Sequence, residues 1–170
     1  MIDDFRKIAA EEIDKNSIKL IGKDWMLITA GSLDSYNTMT ASWGQFGVLW
    51  NLPVAICFIR PQRYTYEFVE QSEYYTLTFF EKEYRSALNF CGSKSGRDYD
   101  KAKETGLSPM KTDFNNVSFQ EAKLIMECKK IYSDDIKEDG FIAKNLVNKN
   151  YPTKDFHRFY IGEIKNVWIK

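Results

Sequence analysis

The sequence has very few of the residues from which metal sites and disulfide frameworks are built. It is 170 residues long and contains one histidine, His157, and three widely spaced cysteines, Cys57, Cys91 and Cys128. No Cys-x-x-Cys or Cys/His spacing connects them, so the pattern predicts neither a disulfide framework nor a zinc site, and we expect no bound metal. Reduced thiols in the cytoplasm are the simplest interpretation.

Net charge and long apolar runs are also lacking. The 24 basic and 24 acidic residues cancel to a formal net charge of +0, so no overall field would attract the chain to nucleic acid or to an anionic membrane. No apolar run approaches the roughly 20 residues that cross a bilayer, and Asp3 and Asp4 stand where a secretory signal needs positive charge. We therefore expect a cytoplasmic protein with no nucleic-acid and no membrane partner.

The common catalytic motifs are absent as well. The sequence contains none of the patterns G-x-G-x-x-G, G-x-x-x-x-G-K-[ST], H-E-x-x-H and G-x-S-x-G, so nucleotide-binding, zinc-protease and esterase functions lose their usual signals. A Ser-His-Asp triad through His157 remains formally possible, but no local pattern orients it. This shortage of acid and base groups favours a reaction whose chemistry is carried by a bound cofactor.

What the sequence does have is hydrophobic and aromatic content, at 44% and 15%. That is enough to bury the core of one domain over residues 1–170. Runs of β-branched and aromatic residues predict strands at residues 25–33, 38–43, 54–59, 74–80, 121–132 and 156–168. Helical spacing predicts short helices at residues 3–14, 64–69, 84–91 and 101–105, the third ended by Gly92. The elements predict a mainly β fold, a β-barrel or α+β domain with short helices, and not a parallel βαβ fold.

Two connections carry further information about this fold. Residues 31–37 are rich in Gly, Ser, Asp and Asn, which suits a hairpin that makes the strands on either side antiparallel neighbours. Residues 93–100 have almost no apolar content and predict a loop on the surface or around a ligand.

Three polar clusters follow or interrupt the predicted strands. In residues 37–43, alternation places Thr38, Thr40 and Ser42 on one face, which is also typical of a plain edge strand with a solvated side. In residues 60–65, Arg60 and Arg63 straddle a proline before a helix start, where they either capture a phosphate or lie on the surface. Residues 93–97 and the lysine at 101 add hydroxyl groups and cations that, alone, indicate only a solvated loop.

Taken in this order, the clusters resemble the FMN-binding split-barrel family, in particular its flavin reductase and flavoredoxin-like branch. The resemblance rests on residues 37–43, the strand from Pro53 to residues 60–65, residues 95–97 with 100–101, and the closing residues 157–164. One departure is Leu52-Pro53, where relatives often carry two prolines. In this tract Trp50 and Phe46 either line the flavin face or pack in the core or at a dimer interface.

The resemblance implies FMN as cofactor and assigns roles to individual residues. Flavin contacts are implied for Met39, Thr40, Ala41, Ser42 and Trp43, and phosphate contacts for Arg60, Arg63, Thr65 and Lys101. Asn37, Tyr64 and Ser95 complete the implied cofactor-binding set. His157 matches a histidine near the mouth of the active site, where it is either a candidate catalytic group or a structural residue.

The implied function is that of a flavin reductase-like oxidoreductase. It would pass electrons from NAD(P)H or a protein donor through FMN to flavin or another acceptor. Open alternatives are a non-catalytic electron carrier docked by redox protein partners, a pyridoxamine-phosphate oxidase-like enzyme, and an interaction domain without a cofactor. We also expect a homodimer, because family members pair along one side and exposed Phe46, Trp50 and Tyr74 would otherwise leave apolar surface in water.

Overall fold

The computed structural model describes residues 2–170 as a mainly β protein with short helices, as predicted. The strands are β1 (Arg6–Ile8), β2 (Met26–Ser32), β3 (Ser35–Ala41), β4 (Gly44–Leu49), β5 (Leu52–Ile59), β6 (Tyr74–Phe79), β7 (Pro109–Lys111), β8 (Val117–Phe119), β9 (Leu124–Asp135) and β10 (Arg158–Ile169). The α-helices are α1 (Ser17–Lys19), α2 (Tyr64–Gln71), α3 (Arg85–Ser93), α4 (Lys101–Thr105) and α5 (Asn145–Asn150). None of the helices in this part of the chain is long and apolar enough to cross a membrane.

Eight strands form one antiparallel sheet. The order is β3-β2-β6-β9-β10-β5-β4, and β1 adds to β10, while β7 and β8 pair with each other separately. The predicted hairpin joins β2 to β3 in the register Ser32↔Ser35, with Gly31 at a φ of 109° just before the turn. Helices α2 and α3 both pack against β2 and β3. The start of α2 and the end of α3 are therefore brought together around β3, the edge strand of the sheet.

The core lies on both faces of this sheet. Met26 and Ile28 of β2 belong to a cluster on one face, and Leu27 between them belongs to a cluster under α3 and α4 on the other. A strand buried on both faces reads as a continuous apolar run, which is what the sequence shows there. Gly162 of β10 allows a close approach in the first cluster, because a Cβ at this position would lie 2.5 Å from the hydroxyl of Tyr75.

The predicted helix at residues 3–14 is wrong. The structure has a 3-10 turn at Ile2–Asp4, strand β1, and a second 3-10 turn at Ala10–Glu12. Strand β1 pairs with β10 in the register Arg6↔Ile169 to Ile8↔Val167. The free edge of β10 thereby finds backbone hydrogen-bond partners, a long-range demand that outweighs the weak helical periodicity of a short segment.

Besides β1, the strands β4, β7 and β8, helix α5 and the helical residues 17–24 were not predicted, and the end of α3 differs. Strand β4 and the helical residues 17–24, which continue from α1 as a π-helix, lie in stretches without clear periodicity. Gly92 does not end its helix, because α3 continues through it to Ser93. A Cβ on Gly92 would lie 3.2 Å from the Cβ of Thr40, so the glycine lets α3 approach β3 closely.

Candidate cofactor-binding site

All thirteen residues singled out in the sequence line one of two neighbouring pockets along β3. The first, the Lys101 pocket, has a volume of about 220 Å³ and includes Asn37, Arg63, Tyr64, Thr65, Ser95 and Lys101. The second, the Trp43 pocket, has a volume of about 170 Å³ and includes Met39, Thr40, Ala41, Ser42, Trp43, Arg60 and His157. Strand β3 contributes Asn37 to the first pocket and Met39 to the second, so the two pockets are consecutive along one strand.

The Lys101 pocket is built around the start of α2. Arg63 is the N-cap residue of this helix, and it makes no capping hydrogen bond with its side chain. Thr65 is fully buried, and its hydroxyl accepts a hydrogen bond of 2.7 Å from the side-chain amide of Asn37. This bond joins β3 to the first turn of α2. The unpaired backbone N–H groups of that turn carry partial positive charge, which favours an anion.

Lys101 is a buried cation without a carboxylate partner in residues 2–170. It is 6% exposed, and its ammonium group donates to the carbonyl oxygen of Thr38 at 2.8 Å and to that of Cys91 at 2.9 Å. Burial lowers the pKa of Lys101, Cys91 opposes the shift and the positive charge of Arg63 adds to it, which leaves the pKa at about 8. An ammonium has three N–H donors, so one donor remains for a ligand.

Arg63 adds a second unmatched charge to this pocket. Its guanidinium makes no ion pair and no hydrogen bond with the part of the chain that the structure describes, and partial burial lowers its pKa. Two such cations repel each other at close range, and an anion between them would reverse that unfavourable interaction. The pocket therefore has the charge of an anion-binding site.

The loop after α3 closes the Lys101 pocket from the outside. A Cβ on Gly96 would lie 1.9 Å from Oδ1 of Asn37, so no larger residue fits there without a shift. The Ser95 hydroxyl accepts a hydrogen bond of 3.2 Å from the backbone N–H of Arg97. Arg97 itself stacks on Tyr64, with 4.4 Å from its guanidinium carbon to the ring centre, and pairs with Glu67. Its charge is thus used to hold the loop on α2.

The Trp43 pocket is more open than the Lys101 pocket, and aromatic and aliphatic side chains form part of its lining. Met39 and Ala41 are buried at its base, and Phe58 of β5 forms part of its wall. Trp43 follows β3 and is 44% exposed. Its ring centre lies 4.9 Å from that of His157, at an interplanar angle of 46°. Exposed aromatic surface beside small side chains is suited to a planar ligand.

Arg60 lies in the Trp43 pocket and not with Arg63. Its guanidinium pairs with Asp155, donates to the carbonyl oxygen of Asn150 at 2.8 Å, and lies 5.2 Å from the ring centre of Tyr151. Hydrogen bonds from Arg60 and Gln62 hold the pKa of Asp155 well below its usual range. The positive charge of Arg60 is therefore already matched, which separates it from the Lys101 pocket in which the phosphate role was expected.

His157 is the other ionisable group of the Trp43 pocket. It is 8% exposed, and its Nδ1 lies 2.9 Å from the hydroxyl of Tyr151. Burial and the charge of Arg60, opposed by Asp155, lower the pKa of His157 to about 4. The imidazole is accordingly neutral near pH 7.

Five lining residues were not singled out in the sequence: Phe58, Gln62, Ser93, Lys94 and Gly96. Four of them fall within the polar clusters at residues 60–65 and 93–97, so they could have been predicted from their position beside the assigned residues. Phe58 was detectable from the strand period, because it shares a strand face with Arg60 two positions later. No group of three or more side chains suited to a metal occurs in residues 2–170.

The fold is similar to those of several solved structures. Flavoredoxin of Desulfovibrio vulgaris (Miyazaki F) matches with a TM-score of 0.66 and 22% identity over 86% of this chain and 69% of that chain. An FMN-binding domain of a flavin reductase-like enzyme from Shewanella baltica OS155 matches with a TM-score of 0.69 and 17% identity over 97% and 76%. An NADH:FAD oxidoreductase of Streptomyces globisporus C-1027, in complex with NAD and FAD fragments, matches with a TM-score of 0.64 and 12% identity over 86% and 74%.

These likenesses confirm the expected split-barrel fold. A search of curated protein sequences found no match. The sequence profile of the flavin reductase like domain, by contrast, matches residues 19–170, which include both pockets and every strand except β1. The chain belongs to the flavin reductase like domain family.

Proposed function

We propose that this protein binds FMN and acts as a flavin reductase-like oxidoreductase that passes electrons through it. The observation that carries the proposal is the pair Lys101 and Arg63, two cations that meet in one pocket without a carboxylate partner in residues 2–170. Burying a lysine without a counter-ion is costly, and a phosphate with nearly two negative charges would offset that cost. The family match and the FMN-binding proteins among the structural neighbours support the same cofactor.

The arrangement of the two pockets fits the two ends of FMN. The phosphate would lie in the Lys101 pocket, against Lys101, Arg63, the hydroxyls of Thr65 and Ser95, and the start of α2. The ring system would lie in the Trp43 pocket. Between them, β3 from Asn37 to Ala41 extends over about 13 Å at the usual rise per residue. A mononucleotide laid along the strand could thus contact both pockets.

In the proposed function, the protein would position the flavin, supply positive charge to its phosphate and shield its ring from water. Bound FMN would supply the hydride and single-electron chemistry that the side chains lack. Asn37 holds the Thr65 hydroxyl at the start of α2, and Lys101 and Arg63 would hold the phosphate. Trp43 and His157 shield one side of the ring position from water. Arg60 is assigned to the Trp43 pocket, where Asp155 fixes its orientation.

The electron donor is either NAD(P)H or a redox protein partner. A nicotinamide would have to lie over the flavin face, in an open groove formed at the Trp43 pocket, because the sequence has no dinucleotide-binding fingerprint. The likeness to flavoredoxin favours a second candidate function, an electron carrier without turnover of its own. Steady-state oxidation of NADH or NADPH with added flavin separates the two, since a reductase turns over and a carrier does not.

We also propose a homodimer, through an apolar patch at the β4–β5 hairpin. The patch consists of Val48, Trp50, Ile131 and Tyr132, with exposures of 79%, 58%, 36% and 45%. Trp50 packs edge-on against Tyr132 at a ring-centre distance of 6.1 Å and has a φ of 53° in the turn. The expectation that Phe46 and Tyr74 are exposed is wrong, since Phe46 packs against the core and Tyr74 stacks on Phe114.

Titration of the protein with FMN tests the proposal directly. Binding should quench flavin fluorescence and give a yellow protein that keeps its colour through gel filtration. Riboflavin, which lacks the phosphate, should bind at least about tenfold more weakly, because the charge-assisted contacts to the phosphate are worth roughly 1.5–3 kcal/mol each. A protein that binds neither flavin would refute the proposal and leave a β-barrel interaction domain.

A further inference from the structure

Tyr151 is buried beside the proposed ring site but lies outside it. It is 4% exposed and packs between Phe141 and Phe156, with ring-centre distances of 6.0 and 4.7 Å. Its hydroxyl lies 2.9 Å from Nδ1 of His157 and also receives the backbone N–H of His157, and no other acceptor for its hydrogen occurs in the part of the chain that the structure describes. Tyr151 does not line the Trp43 pocket, whereas His157 does. Any effect of Tyr151 on a bound ring would therefore act through His157.

The hydrogen bond can be made in two ways, and only one satisfies both groups. If Nδ1 carried the proton and donated to Tyr151, the phenolic hydrogen would have no acceptor among the described residues, at a cost of about 1–3 kcal/mol for a buried donor. If Tyr151 donates to Nδ1, the phenolic hydrogen is used and the imidazole proton must be on Nε2. The second arrangement is therefore lower in free energy, because it avoids the cost of leaving that buried donor unpaired.

The surroundings of His157 keep the imidazole neutral, which this arrangement requires. Burial and the charge of Arg60 lower its pKa, Asp155 acts in the opposite direction, and the net value is about 4. Nε2 has no hydrogen-bond partner in residues 2–170 and is not among the fully buried unpaired atoms. Its N–H is therefore accessible, and His157 is accessible from the Trp43 pocket.

We propose that Tyr151 is a positioning residue that fixes His157 as the neutral tautomer with its proton on Nε2, so that His157 offers an N–H donor to a heteroaromatic ring bound in the Trp43 pocket. The identity of that ring as a flavin rests on the proposed function above. The assignment of the tautomer does not depend on the proposed function. Arg60, whose guanidinium lies over the Tyr151 ring, and Asp155 hold the same assembly from the other side.

The single histidine makes this proposal directly measurable. A long-range ¹H–¹⁵N correlation spectrum of the ¹⁵N-labelled protein contains one imidazole, so its two nitrogens report tautomer and charge without ambiguity. Between pH 5.5 and 8, we expect a protonated Nε2 and an unprotonated Nδ1. In Tyr151→Phe, both tautomers should be populated, and the pKa of His157 should rise by about one unit because the neutral form loses its hydrogen bond.

A matched control separates this effect from loss of a phenol in general. Tyr84 packs against Phe80 at 5.8 Å, away from both pockets, so Tyr84→Phe should leave the imidazole spectrum unchanged. Thermal unfolding of both variants should be cooperative, which shows that each retains its fold. The proposal is overturned if the wild-type protein carries its proton on Nδ1, if His157 is charged at pH 7, or if folded Tyr151→Phe keeps the wild-type tautomer.

Addition of FMN tests the role of the donor separately. If FMN binds, the Nε2 resonance of the wild-type protein should shift, and an unmoved Nε2 resonance in a saturated sample would refute the donor role. If FMN does not bind, the proposed function fails, while the spectrum of the free protein still decides whether Tyr151 fixes the tautomer.

Discussion

The ammonium group of Lys101 donates to the carbonyl oxygen of Thr38 at 2.8 Å, which ties the first residue of α4 to the middle of β3. The contact places a positive charge in the interior, with carbonyl oxygens but no carboxylate to balance it in residues 2–170. Carbonyl groups orient an ammonium without neutralising it, so the charge remains available to an anion.

Replacing Lys101 with methionine should weaken FMN binding by about ten- to a hundredfold. The variant keeps a long apolar side chain but loses a charge-assisted bond worth roughly 1.5–3 kcal/mol. Lys103→Met is the matched control, because Lys103 lies on the same helix, is exposed and lines neither pocket. Fluorescence titration gives both affinities. Equal affinities in the two variants would remove Lys101 from the site.

Lys101 should contribute a rise in the stability of the cofactor-free protein between pH 8 and about 10, measured as the difference between the wild-type protein and Lys101→Met, because the buried thiols of Cys57, Cys91 and Cys128, whose pKa values are raised, act in the opposite direction. The pKa of Lys101 is about 8 in the folded state and near 10.4 in the unfolded state, so the unfolded state binds more protons in this window. The gain attributable to Lys101 is roughly 2 kcal/mol after allowance for solvent screening. Urea unfolding at a series of pH values measures the free energy of unfolding, and the increase due to Lys101 should be absent in Lys101→Met.

FMN should counteract that pH dependence. A phosphate beside Lys101 raises its pKa again, so binding near pH 8.5 takes up a proton and the affinity falls as the pH rises above about 8. Calorimetric titration in buffers of different ionisation enthalpy measures the proton uptake. Binding with no proton uptake at pH 8.5 would contradict a phosphate position beside Lys101.

Reversing the charge of Arg63 should be more damaging to binding than removing the charge of Lys101. Arg63→Glu loses a bond to the phosphate and adds repulsion, so we expect FMN affinity to fall by at least about a hundredfold. Arg85→Glu is the control, since Arg85 stacks on Trp25 at 4.0 Å and lines neither pocket. Unchanged affinity in Arg63→Glu would exclude Arg63 as a phosphate ligand.

The dimer should depend on the hairpin patch. Trp50→Glu places a charge in the centre of that patch and should shift the protein to a monomer at micromolar concentration. Ile142→Glu serves as the control, because Ile142 is 99% exposed and lies outside the patch. Analytical sedimentation reads out both variants. A wild-type protein that sediments as a concentration-independent monomer of 19.9 kDa would refute the dimer.

Reduction of bound FMN should discriminate weakly between NADH and NADPH. An open groove offers few contacts to the 2′ position of the adenosine ribose, so we expect rates within about a hundredfold, equivalent to less than ~2.7 kcal/mol. Stopped-flow absorbance with each nucleotide provides the rates. Fast reduction by only one of them would reveal a specific contact, and no reduction within seconds by either would favour the electron-carrier function.

The different positions of the two arginines could not be predicted from the local sequence. Arg60 and Arg63 are three residues apart and equally suited to a phosphate, yet they serve different pockets. The difference comes from Asp155, which is 95 positions away and neutralises Arg60. No local pattern contains that information, because the pairing depends on where the connection from β9 to β10 returns to the end of β5.

The sequence by itself, with the resemblance carried by its polar clusters, determined the mainly β fold, six of the ten strands in residues 2–170 and thirteen of the eighteen residues that line the two pockets. These follow from side-chain period, turn composition and an ordered set of polar clusters, all of which are local properties. Only the tertiary structure decided that Arg6–Ile8 is a strand, that Lys101 is a buried cation, and that Tyr151 is bonded to His157. Each depends on contacts between distant segments, since charge burial and strand pairing arise only when those segments pack together.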